Sequence, residues 1–346
     1  MRLHIHFGIY KAGSSYIQYI CANQRDYLNA NSIYFPRSTE DKKMKNGLIS
    51  KGNADGLESG MKSEDESKIT MILKQWYEEA EKMNCKAVLI SAEALVHQLA
   101  IQNRLNKIIV SAESIGFTEI KAMGFFRDLA DHALSTYKHR GKSGTIPNYV
   151  HWVSEVYETP KLLENLSHVI AHNKDIQWTL RKFKKDSEFL KLAFFKDWLG
   201  IDIPKFETKP NVNESITLSE VKVMNHIRKA YPTVTDFFYE GLKALPKAAK
   251  AKDKDLDNYI LSTFISHLAP FRNLIESINI FFPNGEQLEI GQSIYKHKVE
   301  PAIQLTDDQL QVLTNRIVFF DSWRGKKVLI RRRLVQFIKK NNRRRL

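Results

Sequence analysis

Short continuous apolar runs alternate with amphipathic segments along the first part of the chain. The runs, typical of strands buried on both faces, fall at 3–9, 85–91 and 120–126. Between them, apolar residues recur every three or four positions, as they do on one face of a helix. Strands that alternate with helices predict a parallel sheet covered by helices on both sides.

The pattern changes farther along the chain. Residues 151–200 predict helices around one further strand at 175–183, and residues 211–282 have helical periodicity without strand-like runs. The stretch 42–68 is polar and rich in Gly, Ser and Asn, which predicts a loop or a mobile lid. The turn "FFPNG" followed by "EQLEI", residues 281–290, predicts a hairpin.

These elements define an expected architecture. We expect an α/β protein with a P-loop-type central parallel sheet flanked by helices and a mostly helical C-terminal extension. The predicted divisions are a core at 1–210, a helical extension at 211–300, and C-terminal helices with a basic tail at 301–346.

Charge is concentrated at one end of the chain. The 346 residues have a formal net charge of +14, and residues 326–346 contain ten Lys and Arg and no acid, which leaves +4 for the rest. Within this tail the apolar residues Ile330, Leu334, Phe337 and Ile338 fall on one helical face. Two interpretations stay open: the helix docks on the body, or it binds an anionic membrane surface or another polyanion.

The number of cysteines and the hydropathy of the chain indicate the cellular compartment in which the protein is expected. Cys21 and Cys85 are too few for a disulfide framework and suit a reducing compartment. No run approaches the roughly 20 apolar residues that span a bilayer. We therefore expect a soluble cytoplasmic protein, with the basic tail as its one feature suited to peripheral membrane contact.

The loop "GIYKAGSS", residues 8–15, predicts a phosphate site. Gly8 and Gly13 have the spacing of the nucleotide-triphosphate loop G-x-x-x-x-G-K-[ST], but Ser14 occupies the lysine position and Lys11 lies inside the loop. Backbone N–H groups at a strand–turn–helix junction bind anions, and hydroxyls at the first helical turn add donors. Without a lysine after Gly13, the loop is unsuited to a γ-phosphate.

A second anion site is predicted after the strand at 120–126. Arg127 ends this strand, and Ser135 lies two turns into the helix that follows. An extended arginine binds a phosphate through two parallel hydrogen bonds, and a serine on the helix face adds another donor.

Together these motifs resemble the P-loop sulfotransferases, which use 3′-phosphoadenosine 5′-phosphosulfate (PAPS). "IHFGIYKAGSSYIQ" is similar to the "IHIGxxKTGTTxLQ" of the bacterial carbohydrate-type branch, "SIYFPRS" to its "GIxYPRS", and "VLISAEAL" to its "LLSSExL". "FFRDLADHALSTYKHRGKSG" and "FFKDWLGID" also have counterparts there, in the same order over residues 1–228. The chain departs from the family at Ala12, at Ser14 and Ser15, which keep the hydroxyls of Thr-Thr, and at Asp128, which replaces a basic residue.

The resemblance implies a function and a set of site residues. It implies transfer of a sulfonate from PAPS to a hydroxyl or amine of a carbohydrate acceptor, with release of 3′-phosphoadenosine 5′-phosphate (PAP) and without a metal. The helical extension at 211–300 would form the acceptor side. The residues that would bind the donor are Lys11, Ala12, Gly13, Ser14 and Ser15 at the 5′-phosphosulfate, and Arg127 and Ser135 at the 3′-phosphate.

The resemblance also gives Lys11 a role in transfer, because its ammonium would stabilise the negative charge that grows on the departing bridging oxygen. Two further residues are candidates for the general base. Glu93 follows the strand at 85–91, at the edge where open α/β sheets place their sites, and its position matches the "SSE" of the related sequences. His97 lies four residues farther, on the same face if a helix has begun at Glu93. Glu93 is the predicted general base and His97 is its alternative.

Two other functions remain alternatives. A kinase-like nucleotide enzyme is disfavoured because Ser14 replaces the triphosphate lysine and no acidic magnesium motif is evident. A non-catalytic binder of polyanions or nucleic acid is suggested by charge alone, and the body has no nucleic-acid-binding signature, so nucleic acid is not an expected partner. The pattern does not identify the acceptor, the residues that bind adenine or the oligomeric state.

Overall fold

Five strands form the central sheet, and all of them are parallel. In this computed structural model the strands are β1 (Arg2–Gly8), β2 (Ile33–Tyr34), β3 (Ala87–Ser91), β4 (Glu119–Phe126) and β5 (Gln177–Lys182). Their order across the sheet is β2–β3–β1–β4–β5. The predicted α/β class with a helix-flanked parallel sheet is therefore confirmed.

The structure describes most of the chain but not all of it. The described residues are 1–205, 216–231, 235–250, 252–291 and 299–322. The predicted basic helix at 326–346 lies outside these ranges. Within them, no helix has both the length and the hydropathy needed to cross a membrane.

Burial on both faces explains why the strands read as continuous apolar runs. Leu3, Ile5 and Phe7 of β1 are at most 1% exposed, and every residue of β3 is buried. Strands covered by helices on both faces have no solvent side, so polar residues do not alternate with apolar ones.

The register brings three strand ends to one edge of the sheet. His6 pairs with Ser91 of β3, and Gly8 pairs with Phe125 of β4. From β1 the chain runs toward β2 on one side, and from β4 it runs toward β5 on the other side. Connections that diverge from neighbouring strands open a crevice at their carboxyl ends, where α/β proteins bind ligands.

Helices make up most of the rest of the described chain. They are α1 (Ser14–Asn23), α2 (Arg25–Ala30), α3 (Asp41–Lys45), α4 (Asp55–Ser63), α5 (Glu66–Lys82), α6 (Leu95–Leu99), α7 (Gln102–Ile115), α8 (Leu129–Gly141), α9 (Tyr149–His151), α10 (Thr159–His172), α11 (Ser187–Lys191), α12 (Leu218–Ala230), α13 (Thr235–Ala244), α14 (Lys254–Leu268), α15 (Arg272–Asn279) and α16 (Asp307–Asp321). Two π-helical turns follow α9 and α11, at Trp152–Val156 and Leu192–Trp198.

The chain divides into two compact units. The first contains the sheet and comprises Met1–His132, Tyr157–Asn213 and Leu268–Gly291. The second comprises Ala133–Val156, Glu214–His267 and Gln292–Leu346, and its described residues form helices and turns. The predicted helical character of the C-terminal part is confirmed over the described residues.

The predicted loop or lid at 42–68 is wrong for most of its length. Helices α3 and α4 and the start of α5 occupy it, and only residues 46–54 and the two-residue turn at 64–65 lie outside helices. Three apolar side chains in this polar stretch, Met44, Leu57 and Met61, are at most 1% exposed and anchor the helices to the core. Their burial outweighs the low helix propensity of the surrounding Gly, Ser and Asn residues.

The predicted hairpin at 281–290 is also wrong, because the structure has no strand there. The segment instead runs across the ends of β4 and β5. Glu286 forms a two-pronged ion pair with Arg181 of β5, at 2.7 and 2.8 Å, and the carbonyl of Gln287 accepts a hydrogen bond from Lys182 at 3.1 Å. Tertiary contacts of charged residues with the sheet edge hold this segment, so a hairpin partner is not needed.

Candidate active site

The loop between β1 and α1 lies at the crevice and is held through the backbone of Lys11. The Lys11 N–H donates to Oε1 of Glu93 at 3.0 Å, and the Lys11 carbonyl accepts from Nη1 of Arg127 at 3.3 Å. Glu93 follows β3 and Arg127 follows β4, so the loop is fastened to the strands on both sides of β1. Three predicted site residues, distant in sequence, therefore converge here.

The loop backbone adopts conformations that few residues tolerate. Lys11 has a φ of 67° and Gly13 has a φ of 90°. A lysine in the left-handed region is uncommon and persists where surrounding contacts enforce it, as the two hydrogen bonds of Lys11 do here. The positive φ at Gly13 favours glycine, and a Cβ atom there would lie 3.0 Å from the ring of Phe183 and 3.1 Å from Leu190, so a larger residue would also require these side chains to shift.

Helix α1 presents its N-terminus to the crevice. Gly13 is its N-cap and provides no side-chain cap, and the first turn contains no acid. The first residue, Ser14, is 2% exposed, and its hydroxyl has no hydrogen-bond partner among the described residues. A buried hydroxyl without a partner is costly, and it lies beside backbone N–H groups that no helical carbonyl satisfies. This arrangement fits an anion such as a phosphate.

Burial shifts the protonation of the two ionisable groups beside the loop. It raises the pKa of Glu93 to about 7, and the N–H and the ammonium of Lys11 only partly oppose this rise. Burial also lowers the pKa of Lys11, the charge of Arg127 lowers it further, and the charge of Glu93 opposes the change. A carboxyl group with a pKa near neutrality is suited to accept a proton.

Arg127 retains capacity to bind a second anion. Its guanidinium lies over the ring of Phe183, 5.2 Å from the ring centre, and uses one N–H on the Lys11 carbonyl. Burial lowers its pKa, while the charges of Asp131 and Asp128 oppose that shift. Since arginine has five N–H donors and stays protonated in proteins, the remaining donors are suited to a phosphate.

Asp128, which stands where the related sequences have a basic residue, is paired with a lysine. Asp128 forms an ion pair with Lys182 of β5 at 2.9 Å. Its carboxylate also accepts the N–H of Glu289 at 2.7 Å. Replacing a basic residue with Asp128 would reduce the positive charge beside Arg127, and the paired ammonium of Lys182 offsets this reduction.

Backbone N–H groups at the N-terminus of α8 bond to carbonyl groups of residues 289–290. The N–H groups of Leu129 and Ala130 donate to the carbonyls of Glu289 and Ile290, each at 3.0 Å. Two backbone donors that would serve an anion at this helix are thus already satisfied. An anion near Arg127 would therefore depend mainly on side chains.

The other predicted site residues are Ala12, Ser15, Ser135 and His97, and they do not all lie at the loop. Ala12 is fully buried and Ser15 is half-buried in the loop and first turn. Ser135 is half-buried on α8 but belongs to the second unit, so the geometry of the first unit does not include it. His97 is on α6, and its ring lies against that of Tyr10, with centres 5.5 Å apart. Because α6 begins at Leu95, the expected shared helix face of Glu93 and His97 does not form.

Sequence reasoning missed the loop that fixes the end of β3, before Glu93. The buried amide of Asn53 accepts from the Ser91 N–H at 2.6 Å and donates to the Leu89 carbonyl at 3.1 Å, and the Asn53 N–H donates to the Ser91 carbonyl at 3.1 Å. Ser91 also bonds to His6 at 2.7 Å. Burial lowers the pKa of His6 to about 3, which keeps the ring neutral. The only signal in the sequence was a Gly-Asn pair inside a stretch interpreted as a lid.

Comparison of the chain with protein-family models, with curated proteins and with solved structures finds no match. The motifs and this geometry therefore carry the functional assignment proposed below.

The contact between the 46–54 loop and β3 gives a matched pair of variants. At Gly52 (φ 83°) a Cβ would lie 1.9 Å from the Ser91 carbonyl oxygen, whereas at Gly47 (φ 67°) it would meet only Tyr19, at 3.7 Å. Both alanines incur similar left-handed strain. We expect Gly52→Ala to lower the free energy of unfolding by about 1–3 kcal/mol more than Gly47→Ala, in urea denaturation. Equal losses would contradict the close packing of this loop.

The raised pKa of Glu93 predicts a pH dependence of stability. A carboxyl whose pKa is higher in the folded state favours folding at low pH, and this contribution is lost as pH rises from the unfolded value through about 7. We therefore expect the melting temperature of Glu93→Gln to rise relative to the wild type between pH 5 and pH 8, in thermal scans. Parallel profiles of the two proteins would show that Glu93 titrates as an ordinary carboxyl.

Proposed function

We propose that this protein is a PAPS-dependent sulfotransferase that moves a sulfonate to a hydroxyl or amine of a carbohydrate acceptor. The observation that supports this most is the convergence of Lys11, Glu93 and Arg127 at the sheet's switch point, beside the unpartnered buried hydroxyl of Ser14. The resemblance of the loop and strand-end motifs to the carbohydrate-type sulfotransferases supplies the reaction class.

The loop suits a donor with a single 5′-phosphate better than a triphosphate. Ser14 stands where a triphosphate loop has the lysine that reaches the β- and γ-phosphates. Lys11 precedes Gly13, so its ammonium is suited to a group attached beyond one phosphate. The hydroxyls of Ser14 and Ser15 and the N–H groups of the first turn would hold the 5′-phosphosulfate.

Transfer breaks one S–O bond and forms another. The bond between the sulfonate sulfur and the oxygen bridging it to the phosphate breaks, the acceptor oxygen or nitrogen bonds to sulfur, and PAP leaves with the bridging oxygen. Negative charge grows on that oxygen, and the Lys11 ammonium would stabilise it more in the transition state than in the ground state.

The acceptor must lose a proton as it attacks, and Glu93 is placed to take it. One carboxylate oxygen accepts the Lys11 N–H, which leaves the other for the acceptor. A pKa near 7 balances the ionised fraction of the base against its strength. His97 remains the alternative base, since its ring lies against Tyr10 of the same loop.

Arg127 would bind the 3′-phosphate through side-chain hydrogen bonds. Because the N–H groups of Leu129 and Ala130 already bond to residues 289–290, the start of α8 offers the phosphate fewer backbone donors than a free helix N-terminus would. Ser135 stays a proposed contact of the same phosphate. The free thiols of Cys21 and Cys85 suit action in the cytoplasm, where PAPS and a glycan acceptor would be the partners.

Ligand binding separates this proposal from a triphosphate enzyme and from a plain polyanion binder. We expect PAP, without magnesium, to bind more tightly than ATP and to raise the melting temperature more, because the loop lacks the triphosphate lysine. Isothermal titration with PAP, ATP with and without magnesium, and duplex DNA measures this. Equal binding of ATP, a strict magnesium requirement, or preference for DNA would contradict the proposal.

Three variants test the division of roles. We expect Lys11→Ala to lower kcat about 10²–10³-fold, as loss of one transition-state contact does, with little change in PAP affinity. Arg127→Ala should weaken PAP binding roughly 10–100-fold, since a charged hydrogen bond is lost in ground and transition states alike. Glu93→Gln should lower kcat about 10²–10⁴-fold and keep PAP binding.

The assay follows transfer of ³⁵S from labelled PAPS to a pool of cellular glycans, with PAP affinity measured by titration. Lys62→Ala, which removes an exposed lysine of α4, is the control for charge and should leave both unchanged. The same kinetic signature for Lys11→Ala and Arg127→Ala would refute the assigned roles, and an active Glu93→Gln would move the base to His97.

A further inference from the structure

The second unit contains a cleft that the proposed chemistry does not use. Its volume is about 700 Å³, within the range of small-molecule sites. One wall is the end of α8 with the turn after it, and the other is α13, which contributes Asp236, Tyr239 and Glu240. These three residues are spaced i, i+3 and i+4, so they share one helix face.

The floor of the cleft is apolar and its rim is charged. Ile146 and Trp152 line it and are 8% and 1% exposed. Arg140 at the end of α8 and Lys142 in the turn after it contribute positive charge to the lining, and Asp236 and Glu240 of α13 contribute negative charge. An apolar base with a few polar groups above it is the usual composition of a ligand site.

Three of the charged residues that line the cleft, Arg140, Asp236 and Glu240, form no ion pair across it among the described residues. Neither Arg140 nor Asp236 has a salt-bridge partner among the described residues, and the ion pair of Glu240 is with Lys243 of its own helix, at 3.9 Å. The Lys142 ammonium lies over the Tyr239 ring, 5.1 Å from its centre. Burial and nearby glutamates raise the pKa of Tyr239 to about 12, so its hydroxyl stays a neutral donor.

The charged residues that line the cleft determine whether an anionic, a cationic or a neutral ligand is favoured. A polyanion meets the carboxylates of Asp236 and Glu240, and a cation meets Arg140 and Lys142, so like-charge repulsion disfavours both. A neutral ring with hydroxyls at its edge is favoured, because carboxylates accept its hydroxyl protons and the guanidinium donates to its oxygens. The apolar faces of such a ring match the floor.

We propose that this cleft binds an uncharged sugar unit of a saccharide chain. The choice of a saccharide rests on the proposed function, whereas the preference for a neutral ring follows from the charges of the cleft. The cleft is thus a saccharide-binding site in its own right, distinct from the residues that would bind the donor.

Isothermal titration with two probes tests the inference: chitohexaose, which is neutral, and an unsulfated chondroitin hexasaccharide, which is acidic. We expect chitohexaose to bind more tightly, and the double variant Asp236→Asn/Glu240→Gln to weaken that binding tenfold or more, since two charged hydrogen bonds are lost. Glu155→Gln, an exposed acid of the same unit outside the cleft, is the matched control and should bind normally.

Three outcomes would overturn the inference: no binding of chitohexaose, binding that the double variant leaves unchanged, or tighter binding of the acidic probe. PAP titrated into the same variants keeps the two proposals separate. Chitohexaose binding without PAP binding would reject the sulfotransferase and leave the cleft assignment, and PAP binding without chitohexaose binding would do the reverse.

Discussion

The site depends on one backbone position, Lys11, whose N–H and carbonyl are bound from opposite sides of β1. Glu93 holds the N–H at 3.0 Å and Arg127 holds the carbonyl at 3.3 Å. These two bonds enforce a left-handed lysine and so set the path of the loop into α1. Glu93 and Arg127, which hold the loop in place, are also residues proposed to act in binding and transfer.

The parallel sheet supplies the frame in which those contacts form. Because β1 lies between β3 and β4, residues that follow the three strands meet at one edge, although they are far apart in sequence. Low exposure at that edge then raises the pKa of Glu93 to about 7 and lowers that of Lys11. The same burial leaves the Ser14 hydroxyl without a partner in the described structure, in a place that suits an anion.

The features that could be predicted from the sequence are those that depend on neighbouring residues along the chain. The strands could be identified from continuous apolar runs, and the loop from the spacing of Gly8 and Gly13. Long-range contacts could not be identified this way: Asn53 bonds to Ser91, and residues 289–290 cap a helix that begins at Leu129. The cap of α8 uses backbone groups, which any residue provides, so the sequence contains no signal for it. The Asn53 contact does use a side chain, but a Gly-Asn pair in a polar stretch does not identify Ser91 as its partner. The helices at 41–63 were missed because three buried apolar residues outweigh a polar composition.

The proposed function requires the 5′-phosphate of a nucleotide donor to bind at the Lys11–Ser15 loop. Amide NMR of the ¹⁵N-labelled protein, titrated with PAP, tests it most directly by locating the ligand. We expect the largest shifts at the N–H groups of Gly13, Ser14 and Ser15, at the N-terminus of α1 where backbone donors meet the anion. We also expect these shifts to be lost in Gly13→Ala, where the added Cβ would meet Phe183. Saturable shifts confined to other parts of the chain, with the loop amides unmoved, would contradict it.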